Sequence, residues 1–528
     1  MNIVLHEPRA VLRSSVSDSK APQSGVKGRK WKPLYWLGSG LLLLCLQLMD
    51  GTAPLFAALV FLFAALTYFT VKTLGGVDTF SGILVTYLAA QHVLISQIAK
   101  VCFWQPADTK LRSPLVTMGA YAAAMGALWL AAAVSNRTGA GRRRALFIPN
   151  TDVRYLYWLA IASSVLAIAQ RAVLMGVSGG GAAVTGGILG PINTLVFLPD
   201  LAIASGTAYM IRSSQGRRSF GPLNGAIIVV MSSMGVLGTT RVAILGPIIT
   251  YLLTCVAFRF RFRRSHLLVL GVFFLIAQRL LFPLALMGRS IAHNSKVGLR
   301  ENWGASFNLL VSAVEDPSFI PKAEAREEKQ RHFFQYYGQA MPELDRYSMI
   351  IWADASITAT LSHGTLGMTT IEPGFAVLVP RFIQPDKPFL NTGNFLAHRI
   401  PRWIPKSDVT TGISLGFIPD CFSSFGWAGV AVIPFLIGLG IFTLYRFIMT
   451  TKVWYNVWAL ALVVHSCWNF SEATIDSQII TIFQTALVTA IVFWLIHKFA
   501  RACERLHPSG RVRQLLEHFL RPRTRYSA

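Results

Sequence analysis

Arginines set into apolar stretches are the residues of this chain best equipped for chemistry. Arg171, Arg241, Arg279 and Arg289 each lie inside, or at the edge of, a hydrophobic run. A charged side chain at the centre of a bilayer costs about 3 kcal/mol or more unless it is paired or meets water, so such positions are candidates for function. A guanidinium carries fixed, forked donors that match phosphate oxygens, and it stays charged at any working pH. Four of them at a common depth would suit a pyrophosphate. For Arg171 a buried bridge to Asp200 in the next run is the structural alternative. No carboxylate is evident in the runs beside Arg241 and Arg289, which favours a ligand for those two.

The elements that must position these arginines follow from composition. Of 528 residues, 53% are hydrophobic and only 14% charged, where an average soluble domain has roughly a quarter of its residues charged. Apolar runs near the roughly 20 residues needed to cross a bilayer recur from Leu34 almost to the end of the chain, about twelve in all. They cover Leu34–Met49, Ala53–Val71, Ser81–Ile98, Leu115–Val134, Tyr155–Gly176 and Pro191–Ile211, then Asn224–Gly238, Val242–Phe258, His266–Met287, Trp427–Phe447, Tyr455–Phe470 and Gln478–Phe499. The first follows a basic, polar stretch with no small-residue cleavage site behind it, so it reads as a retained span and not a signal peptide. Turns as short as Met49–Thr52 require antiparallel helices, because open strands leave backbone groups unsatisfied in lipid. The expected fold is an all-α polytopic membrane protein with about twelve transmembrane helices and one large periplasmic loop containing short helices.

Charge orients this arrangement. The net charge is +25, and the basic residues sit in short segments between runs: Arg142 to Arg144, Arg212 with Arg217 and Arg218, Arg259 to Arg264, then Arg446 and Lys452. Both termini are basic as well. Basic loops that alternate with neutral ones mark the cytoplasmic side, so both termini are expected there. A charge dispersed in this way also argues against nucleic acid as a partner. An even number of spans sends the long segment Gly288–Phe425 outward, and within Gly288–Thr411 thirteen Lys/Arg nearly balance twelve Asp/Glu. The expected division is residues 1–33 as a cytoplasmic basic tail, 34–287 as spans one to nine, 288–425 as the large periplasmic loop, 426–499 as spans ten to twelve, and 500–528 as a second cytoplasmic basic tail.

Loops this long in a compact protein are usually functional. Helical stretches are expected at the charged Pro321–Phe334 and the amphipathic Leu344–Leu361, and the Pro- and Gly-rich part from Glu372 to Pro405 suggests an ordered loop over the membrane. The glycine-rich turn Gly176–Gly190 is assigned no chemistry, and Val512–Leu520 pairs apolar with basic residues as a helix lying on the inner surface would. Proton-transfer candidates in the external segment are His363, Glu372, Asp386 and Asp420. Each has a plainer reading: a lone external histidine is more often bland, Glu372 precedes Pro373 in a turn, and Asp386 adjoins Lys387. His465, Asn469 and Glu472 share one helical face, either lining a cavity or forming an interhelical hydrogen-bond seam. The six cysteines show no ligand spacing, which leaves no metal site and no cofactor to expect.

Several strings resemble one family. Gly238-Thr239-Thr240-Arg241 opens a hydrophobic run, Met287-Gly288-Arg289 follows the next, and Val379 to Pro388 forms a proline-bracketed string holding Arg381 and Lys387. Thr411 to Phe417 then leads to Phe425-Gly426-Trp427-Ala428-Gly429-Val430. Together these are similar to Wzy-type oligosaccharide repeat unit polymerases, over roughly Gly235 to Leu439. The family often has a glutamate before the last element, where this chain has Asp420.

The resemblance implies a membrane glycosyltransferase of GT-C-like architecture in the bacterial inner membrane. Its substrates would be undecaprenyl-pyrophosphate-linked glycans, both donor and acceptor, with a chain-length regulator and a flippase as partners. Arg241, Arg279, Arg289, Arg381, Lys387 and Arg171 would bind substrate, and His363, Glu372 and Asp420 would be the catalytic candidates. No DxD motif occurs in the chain, which argues against a nucleotide-sugar donor. A ligase of similar design and a lipid-linked glycan transporter are the competing expectations.

Overall fold

A computed structural model describes residues 33–137, 152–177, 195–237, 241–277, 347–379, 392–401, 415–449 and 452–505, together with 281, 308, 311–312, 315–316, 318, 335–338, 383–384 and 404. The described residues form helices and contain no β-strand. Among the described residues, six helices are long and apolar enough to cross a membrane. They are α2 (Pro54–Thr73), α3 (Phe80–Cys102), α4 (Pro114–Arg137), α5 (Val153–Val177), α13 (Phe417–Ile448) and α15 (Ile475–Glu504). Shorter helices occupy the other apolar runs: α1 (Pro33–Met49), α6 (Leu198–Ser213), α7 (Pro222–Leu237), α8 (Arg241–Ala257), α9 (Arg264–Ile276) and α14 (Val457–Glu472). Proline sits at the start of α1, α2, α4 and α7, where its missing N–H removes no helical hydrogen bond. Pro199 likewise sets the start of α6 at Leu198, seven residues later than the hydrophobic run begins.

The turn between α1 and α2 shows how the sequence closes an antiparallel pair. Gly51 takes φ +87, and Asp50 Oδ1 accepts from the Thr52 amide at 3.2 Å and its hydroxyl at 2.6 Å. Trp36 Nε1 then donates to the Ala64 carbonyl at 3.1 Å across the pair. At the centre lies α4, whose alanines and glycines let neighbours approach closely. A Cβ at Gly438 of α13 would come within 2.7 Å of the Leu128 side chain on α4.

The two ends of the bundle differ in what they carry. At one end, Arg446 donates to the Ser135 carbonyl at 3.0 Å, Val453 N donates to the Asp78 carbonyl at 2.9 Å, and the Arg212 guanidinium lies over the rings of Phe258 and Tyr455. The arginine-rich turns at 212–218 and 258–264 therefore sit beside the turn at 452–456. At the other end described residues of the stretch between α9 and α13 pack on the turn joining α3 to α4. Asp354 of α10 (Met349–His363) accepts from the amides of Arg112 and Ser113 at 2.6 and 2.9 Å and from the Thr117 hydroxyl at 2.8 Å. Tyr336 donates to the Ala107 carbonyl at 2.5 Å.

Two short helices follow α10: α11 (Glu372–Leu378) and α12 (Thr392–Arg399). Helix α10 begins inside the amphipathic stretch expected at Leu344–Leu361, and the Pro- and Gly-rich part proves to hold both α11 and α12. Residues 321–334 and 512–520, and nearly all of 176–190, lie outside the described residues.

Candidate functional site

Three irregularities of the backbone, in α3, in α13 and between α14 and α15, meet under α10 to α12, which form a cap on this end of the bundle. Helix α3 carries a π turn at Ala90–Leu94, where one extra residue rotates Gln91 and His92 into the protein. Helix α13 breaks at Phe425 and Gly426, the latter at φ +61, and a Cβ at Gly429 would overlap the Cys421 carbonyl oxygen. The break makes Phe417–Ser424 a separate short helix ahead of the apolar remainder. Between α14 and α15 the backbone extends at Ala473 and Thr474, so the first amides of α15 need partners from elsewhere.

Buried side chains stitch these breaks together. His92 is fully buried, with Nδ1 2.7 Å from the Tyr121 hydroxyl and Nε2 2.9 Å from the Ser471 carbonyl. Because the carbonyl can only accept, Nε2 carries the proton and Tyr121 donates to Nδ1. Gln91 donates to Glu472 at 2.5 Å and accepts from the Ser471 hydroxyl at 2.6 Å. Gly416, at φ +88, leaves room for this group: a Cβ there would lie 2.5 Å from His92 Cε1 and 3.0 Å from the Ser471 carbonyl oxygen.

Asp420 sits one turn into α13, and its Oδ2 accepts from the Ile475 amide at 2.8 Å. The carboxylate thus caps the start of α15, where exposed amides and the helix dipole favour negative charge. Its Oδ1 is buried without a donor among the described residues. Asp476 accepts from Thr392 at 2.8 Å and from Thr474, which ties α12 to the same junction.

The three catalytic candidates fall on connected elements with unequal exposure. The Leu366 amide donates to the Ser423 carbonyl at 2.8 Å, and Thr370 and Ser424 hydroxyls lie 2.6 Å apart, so the turn carrying residues 364–371 rests on the Asp420 helix. His363 ends α10 and Glu372 begins α11, and both are exposed, whereas Asp420 is completely buried. Arg399 Nη2 donates to the Gly364 carbonyl at 2.6 Å, which brings a partly buried guanidinium beside His363. That burial shifts the guanidinium pKa downward. Nothing in the linear sequence pairs residues 35 positions apart, so Arg399, like Gln91, His92 and Gly416, was not foreseen. The available signal for Gln91 and His92 was a polar pair in the middle of an apolar run.

Of the arginines, Arg171 and Arg241 have described backbones. Arg241 opens α8, whose far end meets the arginine-rich turns, and Arg171 lies about 27 Å along α5 from its start at that same end. Arg279, Arg289, Arg381, Lys387 and Asp386 lie outside the described residues. Asp200 accepts from Thr250 at 2.8 Å. On α14, Asn469 donates to Thr481 at 2.5 Å while Glu472 binds Gln91, so at those two positions the face is an interhelical seam. Among the described residues no cluster of three or more His, Cys, Asp or Glu is placed to hold a metal ion.

Among the described residues these features define an all-helical architecture, with six helices long and apolar enough to cross a membrane and a helical cap at one end. No family model matches the chain, and neither does any curated protein or solved structure.

Proposed function

We propose that this protein sits in the bacterial inner membrane with both termini in the cytoplasm, crosses it about twelve times, and polymerises undecaprenyl-pyrophosphate-linked oligosaccharide repeat units at the periplasmic face. The observation that carries the proposal is the cap itself. Its helices α10 to α12 are anchored on the bundle end away from the arginine-rich turns; they bring Arg399 beside His363 and carry Glu372 against the start of α15.

In the reaction proposed, an acceptor sugar hydroxyl attacks the anomeric carbon of the donor glycan. The carbon–oxygen bond to the pyrophosphate breaks, its electron pair leaves with undecaprenyl pyrophosphate, and a base takes the hydroxyl proton. Guanidinium groups stabilise the departing diphosphate. Among the carboxylates and the imidazole, exposure favours His363 and Glu372 as the base, and burial favours Asp420 as the group that holds the junction in place.

A specific observation supports a second reading. Helix α13 is interrupted at Phe425–Gly426, and transporters bind substrate at interrupted helices, so a glycan transporter is the alternative. The deciding experiment gives the purified protein, in liposomes, lipid-linked repeat units alone. A ladder of polymer supports polymerisation, transfer to an added different acceptor supports a ligase, and translocation without a new bond supports transport. Arg241→Ala should abolish the ladder while insertion stays normal, and a wild-type ladder would remove Arg241 from substrate binding.

A further inference from the structure

The cap carries large apolar side chains on its outside. Phe375 of α11 is 49% exposed and Met368, in the turn before it, 45%; Trp427, where α13 resumes after its break, is 53% exposed. For a segment standing clear of the membrane in water, such a group of exposed apolar residues would be a liability.

The way α11 packs sets its height. A Cβ at Gly374 would lie 2.8 Å from Asp476 Cα and 3.1 Å from the Ile479 side chain, so the backbone of α11 lies directly against the first turn of α15. The residues of α15 just below this contact face outward: Phe483 is 57% exposed and Leu487 60%. Four to eight residues of helix separate them from Ile479, a drop of about 6 to 12 Å. The outward face of α11 thus continues, at its upper edge, the apolar stripe of a helix able to span a membrane. Trp427 marks the same edge on α13, because the Leu366–Ser423 hydrogen bond holds the turn bearing Met368 against the residues just before the break. A tryptophan at that position suits the boundary between headgroups and hydrocarbon. Glu372, exposed on the side of α11 one turn from Phe375, keeps a charged group where headgroups and water begin.

We propose that α11 and the turn before it form an interfacial wedge. In it Phe375 and Met368 are seated among the acyl chains of the outer leaflet, and the cap lies in the membrane surface instead of standing above it. The occupant of this face is phospholipid, and the inference needs only that α15 spans the bilayer, not that the protein makes polymer. Burial of these side chains in lipid supplies the apolar surroundings that the protein does not, and it holds the exposed His363 and Glu372 within reach of a headgroup-borne diphosphate.

Site-directed spin labelling of full-length protein in liposomes tests this, with the six native cysteines replaced by alanine. Labels at Phe375→Cys and at the control Leu487→Cys should both collide more with oxygen, which concentrates in lipid, than with a water-soluble nickel chelate. A label at the exposed Ser362→Cys should show the reverse. A nickel-dominated label at 375 beside an oxygen-dominated label at 487 would overturn the wedge. A label at 375 shielded from both agents would also overturn it, and would point to a second copy of the chain or a bound carrier tail. Nickel accessibility at 487 itself would refute the spanning assignment of α15, a failure distinct from that of the wedge. Should the cysteine-free protein not insert, a photoreactive benzoylphenylalanine placed at 375 in the natural background serves instead. Phospholipid adducts are expected there, and their absence alongside adducts at 487 would refute the proposal.

Discussion

The junction beneath the cap and the surface of the cap use similar side chains to opposite ends. In the junction, His92, Gln91 and Glu472 are buried and hydrogen-bonded at 2.5 to 2.9 Å, and a glycine makes room for them. On the surface, His363 and Glu372 are exposed, and the Ala359 carbonyl lies 2.9 Å from His363 Nδ1. A polar group committed to the fold gives up its freedom to meet a ligand, and desolvation makes it expensive to disturb. Substitutions in the two regions should therefore separate stability from activity.

The largest effect is expected at Gly416. Adding a Cβ at φ +88, against His92 and the Ser471 carbonyl, should cost about 3 kcal/mol or more, so Gly416→Val should fail to yield folded protein in detergent. A normal melting temperature for that variant would show that the junction is far softer than its packing implies. Next comes Tyr121→Phe, which removes the donor to His92 and leaves Nδ1 buried without one. A loss of about 1–3 kcal/mol should appear as a lower melting temperature.

Asp354 anchors α10 of the cap on the start of α4, and its behaviour with pH sharpens the contrast. Burial raises its pKa from 3.8, against hydrogen bonds from Arg112, Ser113 and Thr117 that lower it. The folded state therefore holds this proton more tightly than the unfolded chain does. The contribution is complete below about 3.8 and declines as pH rises through the folded pKa. Melting wild type and Asp354→Asn in parallel should show the wild-type advantage largest in acid and shrinking toward neutral pH. An advantage that grows with pH would reverse the sign. The smallest effect on stability, within about 0.5 kcal/mol, is expected for His363→Ala and Glu372→Gln, although either should cut polymer formation sharply. Full polymer from both would leave the cap without a chemical role.

The helical stretches were legible in the sequence because each is apolar around most of its circumference, and the lengths of α2, α4 and α5 follow the hydrophobic runs closely. The start of the apolar part of α13 was legible too, since Phe425-Gly426-Trp427 marks the break itself. Less was legible where an apolar run contains a backbone irregularity. The π turn in α3 leaves hydropathy unchanged, and so gives no sign that Gln91 and His92 have been turned toward Ser471 and Glu472, some 380 residues away.

Composition by itself determined that this chain is helical and suited to a membrane, because only an uninterrupted hydrogen-bonded helix lets an apolar run satisfy its own backbone. The basic turns likewise announced that the two ends of the bundle would differ. Tertiary structure alone decided which polar residues are partners: Asp420 as the cap of α15, Arg399 beside His363, and Gly374 as the seat of α11. The reason is one of range. Burial of apolar surface is a local property of each segment, whereas a hydrogen bond depends on the position and orientation of two groups that only the folded chain brings within 3 Å of each other.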